Sequence, residues 1–134
     1  MRVVLDANVL IAAFATRGLC NSLLDLCLQS HDLILSQELL REMERNLLRK
    51  FKLPEPKVAA IIRYLERQAM IEEPTTVDAG SCRDPGDLHV LGLAVKSRPD
   101  CVVTGDQDLL ILKTYQGIPI LSPREFWTRL RKDE

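Results

Sequence analysis

The chain has 134 residues, enough for one domain around one hydrophobic core. Apolar residues make up 46% and aromatics 4%, so aliphatic side chains must carry the packing, while 18 basic against 19 acidic residues leave a formal charge of -1. That balance excludes a broadly basic nucleic-acid coat, though not a local basic patch, and no apolar run is long enough to span a membrane.

"RVVL" (2–5) is a short, β-branched apolar run and predicts a buried strand. No secretory leader is expected ahead of it. "NVLIAAF" and "NSLLDLCLQS" read as helices separated by the break at Thr16-Arg17-Gly18. "DLIL" (32–35) is a second strand, and the Ser36 hydroxyl can cap the helix "QELLREMERNLLRKF" that follows. Leu39, Leu40, Met43 and Leu47 share one face of that helix. After the "KLPEPK" break, Val58, Ile61, Ile62, Leu65 and Ala69 mark another amphipathic helix. "SCRDPGD" is a loop leading into the helix "LHVLGLAVKS". "CVV" (101–103) is a strand, "LLILKTY" a short helix and "IPIL" (118–121) the last strand, with Pro123 opening a final helix. Phe126 and Trp127 are expected to anchor that helix. Cys20, Cys27, Cys82 and Cys101 form no C-x-x-C pair, so free thiols in a reducing cytoplasm are expected. Strands alternating with helices, the strands continuously apolar, predict an α/β fold with a mainly parallel sheet covered on both faces.

Ligands in such sheets bind outside the carboxyl ends of the strands. Asp6 directly follows "RVVL", and Asp106 and Asp108 follow "CVV" after Thr104-Gly105, so two strands deliver acids to that edge. A helical wheel drawn from Asp84 puts Asp87 on the same inward face as Val90, Leu91 and Ala94, with His89, Gly92 and Lys96 pointing away. A carboxylate on an inward face needs a partner, and a metal ion is one. Plainer roles are open to each acid. "DPGD" and "DQD" can cap helices, Asp6 can cap a strand-to-helix turn, and Glu42 can belong to a solvated face. The Arg41, Arg45, Arg49, Lys50, Lys52 series reads as a solvated face that can also touch phosphates. His31 is expected to face solvent.

Taken together, "VVLDANVLIAA", "LILSQELLREMERNL", "CRDPGDLHVLGLAV" and "CVVTGDQDLL" resemble, in order, the four motifs of the PIN domain family. The likeness covers nearly the whole chain and is greatest to the toxins of bacterial and archaeal toxin–antitoxin pairs, the VapC type. It implies a three-layer α/β/α fold and an acidic metal site at Asp6, Glu42, Asp87 and Asp106, with Asp108 as an additional acid. Asn8, Ser36, Asp84 and Thr104 match supporting positions. Glu42 is chosen over Glu38 and Glu44 on this pattern, not on periodicity. Relatives often carry a lysine where this chain has His89.

The resemblance further implies a Mg²⁺- or Mn²⁺-dependent endoribonuclease, with one or two ions, that uses metal-activated water and leaves 5′-phosphate and 3′-hydroxyl ends. An RNA substrate, a small antitoxin and a homodimer or higher homo-oligomer are the expected partners. The alternatives are an RNA-processing nuclease without an antitoxin and a silent PIN module that binds RNA or protein. Histidine-based activation of the 2′-hydroxyl is disfavoured, because only His31 and His89 are available and neither is expected inward. A phosphatase of the D-x-D type is disfavoured because Asn8 replaces the second acid.

Overall fold

The computed structural model describes residues 1–132. Its centre is a six-stranded sheet in the order β3-β2-β1-β4-β6-β5. The strands β1 (Arg2–Leu5), β2 (Asp32–Leu35), β4 (Cys101–Val103) and β6 (Ile118–Leu121) are the four apolar runs expected from the sequence. Val3 pairs with Leu33 on one side and Cys101 on the other, and Val4 with Ile34 and Val102, all in parallel register. Helices cover both faces, so no residue of β1 after Arg2 meets water, which is why the run does not alternate.

The chain leaves β1 through α1 (Ala7–Ala15) and α2 (Leu19–Ser30) to reach β2, then through α3 (Gln37–Arg49) and α4 (Glu55–Gln68) to reach β3 (Met70–Ile71). It next returns through α5 (Leu88–Ser97) to β4, on the opposite side of β1. The direction of travel therefore reverses between β1 and β4, and such a reversal opens a crevice at the carboxyl ends of the two strands. No single helix among the described residues is long and apolar enough to cross a membrane, and the four cysteines are unpaired.

Four points depart from expectation. The segment read as one helix over "LLILKTY" is split: α6 (Gln107–Leu110) stops, and Thr114–Tyr115 forms β5, antiparallel to β6. A two-residue turn with Gln116 at φ 49° and Gly117 at φ 82° joins the pair, the left-handed geometry that suits the twist of a hairpin. Second, the edge strand β3 was not foreseen; it has two residues, too few to show a period. Third, Gly92 does not face outward. Pro74 and Thr75 lie across it, Thr75 N–H donates to the Gly92 carbonyl at 3.2 Å, and an added Cβ would meet Thr75 O at 2.1 Å. His31, expected in solvent, is half-buried with Nδ1 2.9 Å from the amino terminus.

Candidate metal centre

The crevice between β1 and β4 is lined first by the residues that end those strands. Asp6 N–H donates to the Val103 carbonyl at 2.9 Å, extending the ladder by one rung. Asp6 then caps α1. Its Oδ1 accepts from Ala7 N–H at 2.7 Å, while Oδ2 accepts from the Thr104 hydroxyl at 2.7 Å and from Asn8 Nδ2 at 3.2 Å. The residue is 3% exposed. Burial raises its pKa, the Thr104 and Ala7 donors oppose that rise, and Glu42 adds to it. Thr104 also accepts from Asp106 N–H at 3.0 Å, so one buried hydroxyl ties the two strand-end acids together. Asn8 closes the ring, its Oδ1 accepting from Gly105 N–H at 2.9 Å. Asp106 caps α6 through Oδ1 and Asp108 N–H at 2.9 Å.

A second wall comes from the turn before α5. Residues Pro85–Asp87 form a 3₁₀ turn capped by Asp84, whose Oδ1 accepts from Gly86 N–H at 2.9 Å. Capping and ligation are therefore not exclusive readings, since the cap leaves the other Asp84 oxygen free of that bond. Asp87 lies against Asp106, and its Oδ2 is buried with no hydrogen-bond partner. Burial and the Asp106 carboxyl, followed by the charges of Asp6 and Asp84, push the Asp87 pKa up to about 8. One carboxylate oxygen from each of Asp84, Asp87 and Asp108 falls within 4.8 Å of the others. Arg83 Nη1 stands 3.7 Å from Asp108 Oδ1 at the exposed rim.

The third wall is α3. Ser36 caps it through Oγ and Leu39 N–H at 3.2 Å, which starts the helix at the carboxyl end of β2. Glu42 lies between Glu38 and Asn46 on the face turned toward the crevice, and is close enough to Asp6 for the two charges to oppose each other. His89 faces this wall, with Nε2 3.5 Å from Glu42 Oε1 and Nδ1 3.7 Å from Glu38 Oε2. This corrects the outward placement expected for His89. The wheel assumed a single buried face, but α5 is also covered on its other side, where Pro74 and Thr75 lie on Gly92 and α3 meets His89. Burial lowers the pKa of His89, yet Glu42, Glu38 and Asp6 outweigh it and the net shift is upward.

Asp6, Glu42, Asp84, Asp87, Asp106 and Asp108 thus border one crevice, with Asn8, Thr104 and Ser36 holding the backbone and side chains around them. Asp84, expected only in support, has an oxygen within 4.8 Å of oxygens of both Asp87 and Asp108. Glu38, not among the expected site residues, faces His89, and its spacing of four from Glu42 was the available signal that both share a helix face. Charges of one sign this close repel, and an orphaned buried oxygen costs free energy. An all-oxygen, all-anionic donor set of this kind suits a hard divalent cation such as Mg²⁺ or Mn²⁺.

A strand-end acid, a glutamate on the capped helix after the second strand, and acids on either side of a parallel switch point define an α/β protein of the PIN type. The sequence profile described as PIN domain matches residues 2–108, and the chain belongs to that family. Its fold is similar to that in the crystal structure of VapBC2 from Rickettsia felis bound to a DNA fragment from its promoter. That match has a TM-score of 0.61, 13% identity and coverage of 91% of this chain and 98% of the other. It is also similar to FitAcB from Neisseria gonorrhoeae, with a TM-score of 0.56, 17% identity and coverage of 91% and 98%. No curated protein matches in sequence.

Proposed function

We propose that this single PIN domain is a divalent-metal-dependent endoribonuclease and the toxin of a toxin–antitoxin pair. The observation that carries the reading is Asp87: a partly buried carboxyl with an unpartnered oxygen, raised to about 8 by burial and its acidic neighbours. That arrangement is unfavourable until a cation joins it. Asp6, Asp87 and Asp106 would hold Mg²⁺ or Mn²⁺, with Asp84 and Asp108 available to the same or a second ion. A cation held there would supply Lewis acidity toward the attacking water and the scissile phosphate.

The chain's own groups do the rest. Asp6 is fixed by its three donors, so its carboxylate needs no reorganisation before the reaction. Glu42, on the opposite wall, is positioned to orient water or accept its proton, and His89 holds Glu42 in place. Thr104 keeps Asp6 and Asp106 in fixed relation.

Membership of the PIN family supports nuclease chemistry, and the fold likeness to chains of VapBC2 and FitAcB supports an antitoxin partner. The α3–α4 pair offers a face for a homodimer, and the chain is read as cytoplasmic. An RNA-processing nuclease without an antitoxin is the second reading; a short open reading frame beside the gene would favour the toxin. The test is end-mapping of cellular RNAs after inducing wild type and Asp6→Asn side by side. New 5′-phosphate ends should arise with wild type alone. Identical ends from both proteins would remove the assigned centre.

A further inference from the structure

A groove of about 390 Å³ runs away from the acidic crevice between α1 and α3. Asn8 and Glu42 form its inner end; Thr16, Lys50 and Phe51 form its outer end. From Glu42 to Lys50 the helix rises about 12 Å. Beside Glu42 a second groove is lined by Glu38, Arg41, Arg45, Gly86 and His89. Glu42 borders both grooves, with Lys50 in the first and Arg41 and Arg45 in the second.

Two aromatic rings, Phe51 and Tyr64, are equally exposed, and of the two Phe51 lines this groove. The chain has six aromatic residues among 134 and depends on aliphatic packing, yet Phe51 is 45% exposed. It is nonetheless held firmly. Phe51 N–H donates to the Asn46 carbonyl at 3.2 Å, and Leu53 N–H closes onto the Leu47 carbonyl at 3.0 Å. Between them Lys52 takes a left-handed conformation, φ 52°, which a lysine adopts only when its surroundings enforce it. An exposed ring on a pinned turn, beside a lysine and at the mouth of a groove leading to a phosphodiester-cutting centre, has the chemistry of a base platform.

We infer that Phe51 stacks an unpaired base of the RNA strand while Lys50 takes the adjoining phosphate. The inference rests on the nuclease reading for its direction. A paired base has both faces covered by its neighbours in the duplex and cannot lie on the ring. A protein segment could use the apolar part of this groove, through Ile11 and Ala12, but an exposed ring next to the Lys50 ammonium suits a base and its adjoining phosphate better.

The test uses Asp6→Asn protein, so that nothing is cut, and a single-stranded oligoribonucleotide carrying 2-aminopurine at alternating positions. Binding should quench the 2-aminopurine fluorescence, as stacking on an aromatic ring does. Adding Phe51→Leu should abolish the quenching and weaken binding about tenfold, whereas Phe51→Trp should retain both. Adding Lys50→Gln should weaken binding with the quenching intact and lower the salt slope by about one phosphate contact. The same sequence as a duplex should show no quenching. Circular dichroism of each variant separates lost folding from lost stacking. Equal quenching and affinity with Phe51 or Leu at this position would overturn the proposal and leave the groove to a protein segment; so would failure of the single strand to bind. The fluorescence needs no cleavage, so an otherwise wild-type chain that stacks the base yet never cuts RNA would keep this strand path and sink the nuclease.

Discussion

Asp6 and Asp87 are neighbours in one crevice and are held in opposite ways. Asp6 is nearly inaccessible, but the backbone of Ala7, the Thr104 hydroxyl and the Asn8 amide all donate to it. Asp87 is more accessible, yet one oxygen has no partner and its neighbours are other acids. The fold satisfies the first carboxylate from its own donors and leaves the second to something from outside. A rigid anchor beside an unsatisfied ligand is how a protein can bind a cation tightly and still expose it to substrate.

The contrast can be broken most sharply at the anchor. Asp6→Asn should lower RNA cleavage by about a hundredfold or more in a purified assay, with the circular dichroism spectrum unchanged. Two substitutions should then strike one wall each. Thr104→Val keeps the shape but removes the donor to Asp6, and should cost about 1–3 kcal/mol in denaturant unfolding. Gly92→Ala forces the new methyl against Thr75 O, and should cost a similar ~1–3 kcal/mol while disturbing α5 and Asp87 rather than Asp6. If both variants weakened Mn²⁺ binding equally by calorimetry, the two walls would not be independent.

The pH dependence sharpens the same comparison. With its pKa raised to about 8, the Asp87 carboxyl keeps its proton in the folded, metal-free chain over a range where the unfolded chain, with its pKa of about 4, has released it. Folding then favours the protonated form. Its stabilising contribution is full below about pH 4 and is lost as the pH rises to about 8. Thermal melts in chelator should therefore fall in Tm across that window; excess Mg²⁺ or Asp87→Asn should flatten the fall. A slope unaffected by either would show that Asp87 is not the group responsible. The smallest effect is expected at Ser36→Ala, which removes the α3 cap for about 1 kcal/mol and leaves Glu42 in place. A larger loss of cleavage than of stability there would mean that the cap also positions Glu42.

Much of the sheet could be read directly because β1, β2, β4 and β6 are buried on both faces, and that burial requires uninterrupted apolar runs. The edge strands β3 and β5 could not, since two residues bordered by polar neighbours show no pattern. Asp6 was conspicuous because it terminates such a run. Glu42 was not, because a glutamate at the margin of an apolar stripe looks like any solvated one, and only the resemblance to PIN domains singled it out. Asp84 looked like a cap, and it is one. Its place in the trio with Asp87 and Asp108 depends on how the 82–87 loop meets α6.

By itself, then, the sequence determined which segments are buried, the order of the four apolar strands and the long helices between them, and that acids follow two of the strands, because burial and capping act over a few neighbouring residues. Only the tertiary structure decided that the chain reverses direction between β1 and β4, that His89 turns toward Glu42, and that Gly92 lies under Thr75. Those outcomes depend on contacts between segments tens of residues apart, which a local pattern of hydrophobicity does not encode.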